Sequence, residues 1–172
     1  MAHRAQIEFI ASVAAKFPQM FKGTHVMEIG SRNINGTVRR FFTECDYLGI
    51  DAVDGPGVDY VCLAHEYDES GYLFDVIISC EVFEHDPHLP QTIDMAMSWL
   101  RPGGLFVATW AGPRRPEHGT KRSGDSEFGP DADYYHGLGV GDVRDIIGDR
   151  LTDVYAEDTP NMYDARLYGI RS

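Results

Sequence analysis

One stretch, His25–Phe42 (HVMEIGSRNINGTVRRFF), limits the folds open to this chain more than any other. Val26, Met27 and Ile29 form a short apolar run, the mark of a buried strand, and Gly30 follows as a turn. Glu28 interrupts the run just before that glycine, where a carboxylate is costly unless something polar or charged meets it. Val38, Phe41 and Phe42 then recur at helical spacing, which predicts a helix opening after the turn. Strand, glycine turn and helix N-terminus make a corner suited to a nucleotide. An ordinary βα turn would look the same up to this point.

The next strand separates the two readings. Tyr47–Ile50 (YLGI) is a second apolar run, ended by Asp51 about 20 residues past the glycine, where doubly wound folds set an acid on a ribose hydroxyl pair. A dinucleotide fingerprint, G-x-G-x-x-G, would need glycines at Arg32 and Asn35. The corner therefore suits one nucleoside better than a pyrophosphate dinucleotide.

The rest of the chain reads as alternating strands and helices. Ile7, Ile10, Ala11 and Ala14 give Arg4–Phe17 a helical stripe, stopped by Pro18. Gly55-Pro56-Gly57 turns the chain into a short third strand near Val58–Cys62, and Leu63–Gly71 leaves room for a loop with one turn of helix. Phe74–Cys80 (FDVIISC) is the most apolar run, as for a central parallel strand buried on both faces. Gln91–Leu100 is helical, Arg101-Pro102-Gly103-Gly104 breaks it, and Leu105–Thr109 is a fifth strand. Trp110–Gly139 is one long irregular stretch of the kind that is functional or disordered. Val140–Ile147 is a short helix, and Leu151–Glu157 and Tyr163–Ile170 form a terminal hairpin around Asp158-Thr159-Pro160-Asn161. The pattern implies an open, mostly parallel α/β sheet with helices on both faces. Ligands of such sheets sit at the carboxyl ends of the strands, where Glu28, Gly30, Asp51, Cys80, Glu81, Thr109 and Trp110 all fall.

Bulk properties narrow the partners. A chain of 172 residues, 43% hydrophobic and 24% charged, is one globular domain's worth. Ala2–Phe17 carries Arg4, Glu8 and Lys16 and does not resemble a signal peptide, and no apolar run approaches the roughly 18 residues of a membrane span. A soluble, cytoplasmic protein without a membrane partner is expected. The formal charge of −12, from 27 acids and 15 bases, repels phosphate backbones and disfavours nucleic acid as a partner. Cys45, Cys62 and Cys80 lack C-x-x-C spacing and read as reduced thiols.

Four stretches, MEIGSRNINGTV, YLGIDAVDGPGVDYVCLAH, FDVIISCEVFEHDPH and LRPGGLFVAT, in this order and spacing, resemble the class I S-adenosylmethionine-dependent methyltransferases, specifically the small methyltransferase type 11 group. The resemblance covers roughly Val26–Gly112. It implies a doubly wound, Rossmann-like seven-stranded sheet in the order 3-2-1-4-5-7-6 with strand 7 antiparallel, which fits the terminal hairpin. It implies S-adenosylmethionine as cofactor. Gly30, Ser31 and Arg32 would wrap the methionine part, and Glu28 would help hold its amino group. Asp51 would take both ribose hydroxyls, Ala52 would pack beside the adenine, and Ala64 and His65 would border its edge. Cys80 and Glu81 would line the methionine and substrate side. The chain departs from the family's acid-x-Gly-x-Gly-x-Gly loop: Arg32 and Ile34 replace the later glycines, and Gly36 is displaced. It also lacks the (Asp/Asn)-Pro-Pro-aromatic motif and the Pro-Cys nucleophile of DNA base methyltransferases.

Methyl transfer from a sulfonium is an in-line displacement that mainly needs an aligned acceptor and, for a hydroxyl acceptor, a general base. His85, just past the fourth strand, is the candidate base, with capping or loop packing as its plainer role. His118, Tyr135 and His136 are candidate acceptor contacts in the long segment. Arg114, Arg115, Lys121 and Arg122 would either meet an anionic acceptor or form a solvated charge run. Glu84 reads as a supporting or capping acid. His85, Asp86, His88 and His118 have no diagnostic metal spacing, so no metal is expected. The expected activity is methyl transfer to a small-molecule or sugar-like acceptor at oxygen, in a single domain whose pocket stands open or is closed by a second copy in a homo-oligomer. A nucleoside-binding module without catalysis and a nicotinamide oxidoreductase are the rivals.

Overall fold

The structure, a computed structural model, describes residues 4–68, 71–124, 131 and 133–172. Seven strands form one sheet: β1 (His25–Ile29), β2 (Asp46–Asp51), β3 (Tyr60–Val61), β4 (Phe74–Cys80), β5 (Leu100–Ala111), β6 (Leu151–Asp158) and β7 (Asp164–Arg171). Their order is β3-β2-β1-β4-β5-β7-β6. The β1–β2, β1–β4, β2–β3 and β4–β5 pairs are parallel, and β7 runs antiparallel to β5 and β6.

Helices cover both faces because the central strands are apolar on both. On one side α1 (Arg4–Lys16) lays Phe9, Ile10 and Val13 over Val26, Val76, Ile78 and Val107. On the other, α2 (Leu89–Trp99) and α3 (Val140–Ile147) bring Ile93, Met97, Val143 and Ile147 onto Met27, Ile77 and Phe106. With Val76 and Ile78 on one face and Ile77 on the other, the middle of β4 has nowhere to meet water, as its apolar run predicts.

The structure corrects several boundaries. No α-helix forms over Val38–Phe42 among the described residues; the chain makes one 3-10 turn at Arg39–Phe41. Gly36 has φ +135° and its N–H is taken by Asn33 Oδ1, so a local side-chain turn competes successfully with the helix. The apolar spacing serves a different purpose: Val38 is buried, and Phe42 stacks on Phe21 at 4.4 Å. The third strand is only Tyr60–Val61, shorter than Val58–Cys62. The α2 helix starts at Leu89, with Pro90 in its first turn, and ends before Leu100, which already pairs with Phe74 in β5.

Strand β5 also runs further than expected, to Ala111, which takes Trp110 out of the long segment. Trp110 is fully buried and its Nε1 donates to the Leu138 carbonyl at 2.8 Å. Burying an indole contributes about 4–6 kcal/mol of gross hydrophobic stabilisation. The same contact ties the segment's far end to the sheet, reinforced by Leu138 N–H to Ala111 O at 3.0 Å. Residues 125–130 and 132 of that segment lie outside the described residues.

Candidate active site

Three parallel strands end in one crevice. At its first corner the β1 strand stops at Ile29, and the Gly30 and Ser31 N–H groups both donate to the Ile50 carbonyl of β2, at 2.9 and 3.1 Å. Gly30 has φ +78°, and a Cβ there would stand 2.1 Å from Val82 Cγ2. The loop is therefore wedged between β2 and the chain leaving β4. Arg32 N–H and Val53 N–H donate to the two oxygens of Asp51, each at 3.0 Å. Burial raises the Asp51 carboxyl above its usual range while these N–H groups oppose the rise. A carboxylate has about four lone-pair sites, so acceptor capacity remains on both oxygens for a diol. Ala52 follows it, half-buried.

Behind this corner, Glu28 is buried and its Oε2 accepts from the Tyr47 hydroxyl at 2.7 Å. Burial pushes Glu28 up to about 7, with the Tyr47 hydrogen bond and Arg39 holding it down. Ser31 Oγ is buried with no hydrogen-bond partner among the described residues. At the adenine side expected of the fold, Ala64 and His65 open a 3-10 turn, and the His65 ring lies 4.3 Å from that of His88. Burial and then the Glu28 charge push the Cys80 thiol to about 12, so it is a neutral thiol at physiological pH.

The β4 end carries a polar chain that sequence reasoning missed. Gln6 of α1 donates to Thr109 Oγ1, which donates to Glu81 Oε1, both at 3.2 Å. Glu81, at φ +60°, also meets Arg115 at 2.9 Å, and Arg115 reaches Asp164 at 2.6 Å. Of the basic cluster expected in the long segment, Arg115 thus pairs with Glu81 and Asp164, and Arg122 with Glu117. An i, i+103 contact such as Gln6–Thr109 has no local signature in the sequence.

One turn later, a 3-10 turn at Phe83–His85 sets Glu84 and His85 side by side. The long segment closes over them. Gly119 packs on the His85 ring, where a Cβ would be 2.8 Å from Cε1. The rings of His85, His118 and Tyr135 meet edge-on at 5.1–5.4 Å. His85, His118 and Tyr135, which are 33 and 17 residues apart in turn, thus form one cluster. His136 joins it only through its backbone, which donates to the Glu84 carbonyl, while its side chain is exposed. Desolvation, then His118, lowers His85 to about 4, so its imidazole is neutral at pH 7. Glu84 is no cap: it is fully buried, and neither oxygen has a hydrogen-bond partner among the described residues. Burial, then the Glu81 charge, pushes it well above the ordinary carboxylate range.

Four acids gather at these strand ends, but Arg115 pairs with Glu81, and burial holds Glu28 and the enclosed Glu84 toward their neutral forms, which leaves Asp51 as the carboxylate that meets a ligand. The corner therefore suits a diol and opposes a pyrophosphate. With a diol acceptor at Asp51 and a close-packed glycine at Gly30, it fits a sulfonium nucleoside that also carries an ammonium group.

A family model described as a methyltransferase domain matches residues 1–126. Among solved structures, the fold is similar to Haemonchus contortus phosphoethanolamine N-methyltransferase 2 in complex with S-adenosyl-L-methionine (TM-score 0.68, 15% identity, 95% of this chain and 52% of that one). The chain thus spans about half the length of that protein. It is also similar to Burkholderia thailandensis 1,6-didemethyltoxoflavin-N1-methyltransferase with bound 1,6-didemethyltoxoflavin and S-adenosylhomocysteine (0.67, 13%, 96% and 78%). A third is the N-methyltransferase NodS from Bradyrhizobium japonicum with S-adenosylhomocysteine (0.65, 17%, 97% and 87%). At these identities the likeness is one of fold. No curated protein matches the chain by sequence.

Proposed function

The chain belongs to the methyltransferase-domain family, and we propose that it transfers a methyl group from S-adenosylmethionine to an oxygen of a small-molecule acceptor. The observation that carries this reading is the Asp51 corner, where two backbone N–H groups fix a carboxylate across from a glycine held at positive φ. Asp51 would accept from both ribose hydroxyls, with Ala52 beside the adenine and Ala64 and His65 at its edge. Gly30, Ser31 and Arg32 would wrap the methionine, Glu28 would favour its ammonium group, and Cys80 and Glu81 would line the side facing the acceptor. S-adenosylmethionine supplies, when bound, a methyl group on a positively charged sulfur.

The chain's own part is to align the acceptor, which contributes about 7–11 kcal/mol where the geometry is good. His118 and Tyr135 would form the acceptor wall, with His136 at its rim, and the neutral His85 imidazole would accept the hydroxyl proton. That neutral, lone-pair-bearing imidazole favours oxygen, because an alcohol is a poor nucleophile until a base draws off its proton, whereas a neutral amine attacks the methyl first and loses its proton afterwards. The whole domain would work alone or as a homo-oligomer whose second copy closes the open side.

Incubation with methyl-labelled S-adenosylmethionine and a panel of hydroxyl- and amine-bearing small molecules tests this. Label is expected on a hydroxyl compound. Label on amines alone would move the acceptor atom to nitrogen. Cofactor binding with no transfer across the panel would replace the enzyme reading with that of a binding module.

A further inference from the structure

Glu84 presents an unusual problem in a folded chain. Its side chain is fully buried, and the Glu84 and Ala111 backbone N–H groups lie near enough to steady its charge without making a full hydrogen bond to either oxygen among the described residues, while His118 Nε2 beside it is unpartnered there. Each such buried polar group costs about 1–3 kcal/mol if nothing meets it. The two groups face each other at 3.7 Å, and His85 Nε2 stands 4.0 Å from the same Glu84 oxygen. These separations are too long for direct hydrogen bonds.

The orientation of His118 is informative. Its Nδ1 lies 3.1 Å from the Pro116 carbonyl, an acceptor only, so Nδ1 carries the proton. That leaves the Nε2 lone pair aimed at the carboxylate. Lone pairs converge here, and such a convergence is satisfied either by a proton kept on the buried Glu84 or by a cation that takes that proton's place. An imidazole whose far N–H is anchored on a backbone carbonyl is also how a metal-bound histidine is usually held.

We propose that Glu84, His85 and His118 form a divalent-cation site, of the zinc class, at the acceptor end of the crevice. One ligand atom from each residue lies within 4.8 Å of the other two. Ligands about 2.0–2.2 Å from a tetrahedral ion stand about 3.4 Å apart, so a contraction of a few tenths of an ångström closes the shorter two edges. Two imidazoles and one carboxylate are a zinc ligand set that leaves a fourth position open. Glu81 is not counted, because Arg115 and Thr109 already hold both its oxygens. Asp86 is turned away, its oxygens taken by His88 N–H and Thr92.

What the open position would do rests on the methyltransferase reading: an acceptor hydroxyl held there would be both oriented and made more acidic. His85 would then hold the ion instead of acting as the base, and the proton of the ion-bound hydroxyl would pass to bulk water as the oxygen takes the methyl group. Binding of the ion itself is independent of that reading.

The test is calorimetric titration of chelator-treated protein with zinc chloride, without S-adenosylmethionine, and with cobalt(II) as a spectroscopic probe. One equivalent per chain is expected, with visible cobalt absorption of a tetrahedral site. His118→Ala, on a half-buried loop residue, and the near-isosteric Glu84→Gln should each weaken zinc by at least about tenfold. His88→Ala, in the other close histidine pair with His65, should leave zinc binding unchanged. Wild-type protein without zinc binding, or binding that survives both variants, overturns the site. S-adenosylhomocysteine is titrated in parallel on every protein. Its binding without zinc would refute the metal site alone. Zinc binding without it would refute the methyltransferase reading alone. Variants that keep S-adenosylhomocysteine binding are thereby shown to be folded.

Discussion

Replacing Arg115 by alanine is expected to lower the free energy of unfolding by about 3–5 kcal/mol, because it strands a buried carboxylate. The Arg115 side chain is 19% exposed, and it joins Glu81, 1% exposed, to Asp164, 23% exposed. Glu81 also sits at φ +60°, a left-handed conformation that only surrounding contacts can hold in a residue with a side chain. Loss of the guanidinium removes its ion pair while the strand end stays desolvated. The double variant Arg115→Ala/Glu81→Gln should recover more than half the loss, because it removes the charge that the single change leaves unpaired. Urea unfolding of the three proteins measures this. A single-variant loss below about 1 kcal/mol would mean that water reaches Glu81 freely.

Gly30→Ala is expected to cost about 2–5 kcal/mol and to displace the loop before Asp51. Two separate causes contribute. A positive φ costs an L-residue about 1–2 kcal/mol, and an extra carbon forced into a filled space costs about 1–3 kcal/mol. The new Cβ would stand 2.1 Å from Val82 Cγ2, so Val82 must move or the loop must. Combining Gly30→Ala with Val82→Ala separates the two: the collision disappears and the backbone strain remains. The double variant should therefore be less destabilised by the glycine change than wild type is. If it is not, strain alone accounts for the loss.

The sheet was legible because its signals are local. FDVIISC can hardly be anything but a strand buried on both faces, and the glycine at the β1 end with an acid at the β2 end is a spacing written in the chain. The helical spacing after Gly30 misleads for a physical reason. Val38, Phe41 and Phe42 have helical spacing, yet a single 3-10 turn packed on Phe21 satisfies the same burial, and Asn33 and Gly36 bend the chain before a helix can nucleate. Trp110 reads as part of the loop in the sequence because its contact is with Leu138, 28 residues later.

The acceptor end was legible only in part. His85, His118 and Tyr135 could be named as candidates from their positions, but their meeting depends on how the long segment folds back. Glu84 reads in the sequence as a supporting or capping acid. Its burial without a partner follows from the closure of residues 118 and 135 over the β4 end, which no local pattern encodes. Arg115 reads in the sequence as either an anion binder or part of a solvated charge run for the same reason: its partners, Glu81 and Asp164, are 34 and 49 residues away.

The central claim is that the Gly30–Asp51 corner holds S-adenosylmethionine, and calorimetric titration with S-adenosylhomocysteine, on wild type and on Asp51→Ala, tests it most directly. Micromolar binding by wild type is predicted, weakened in the variant by about 1.5–3 kcal/mol as a charged hydrogen-bonding partner is lost. Absence of binding by wild type, or equal affinity in the variant, would contradict the account.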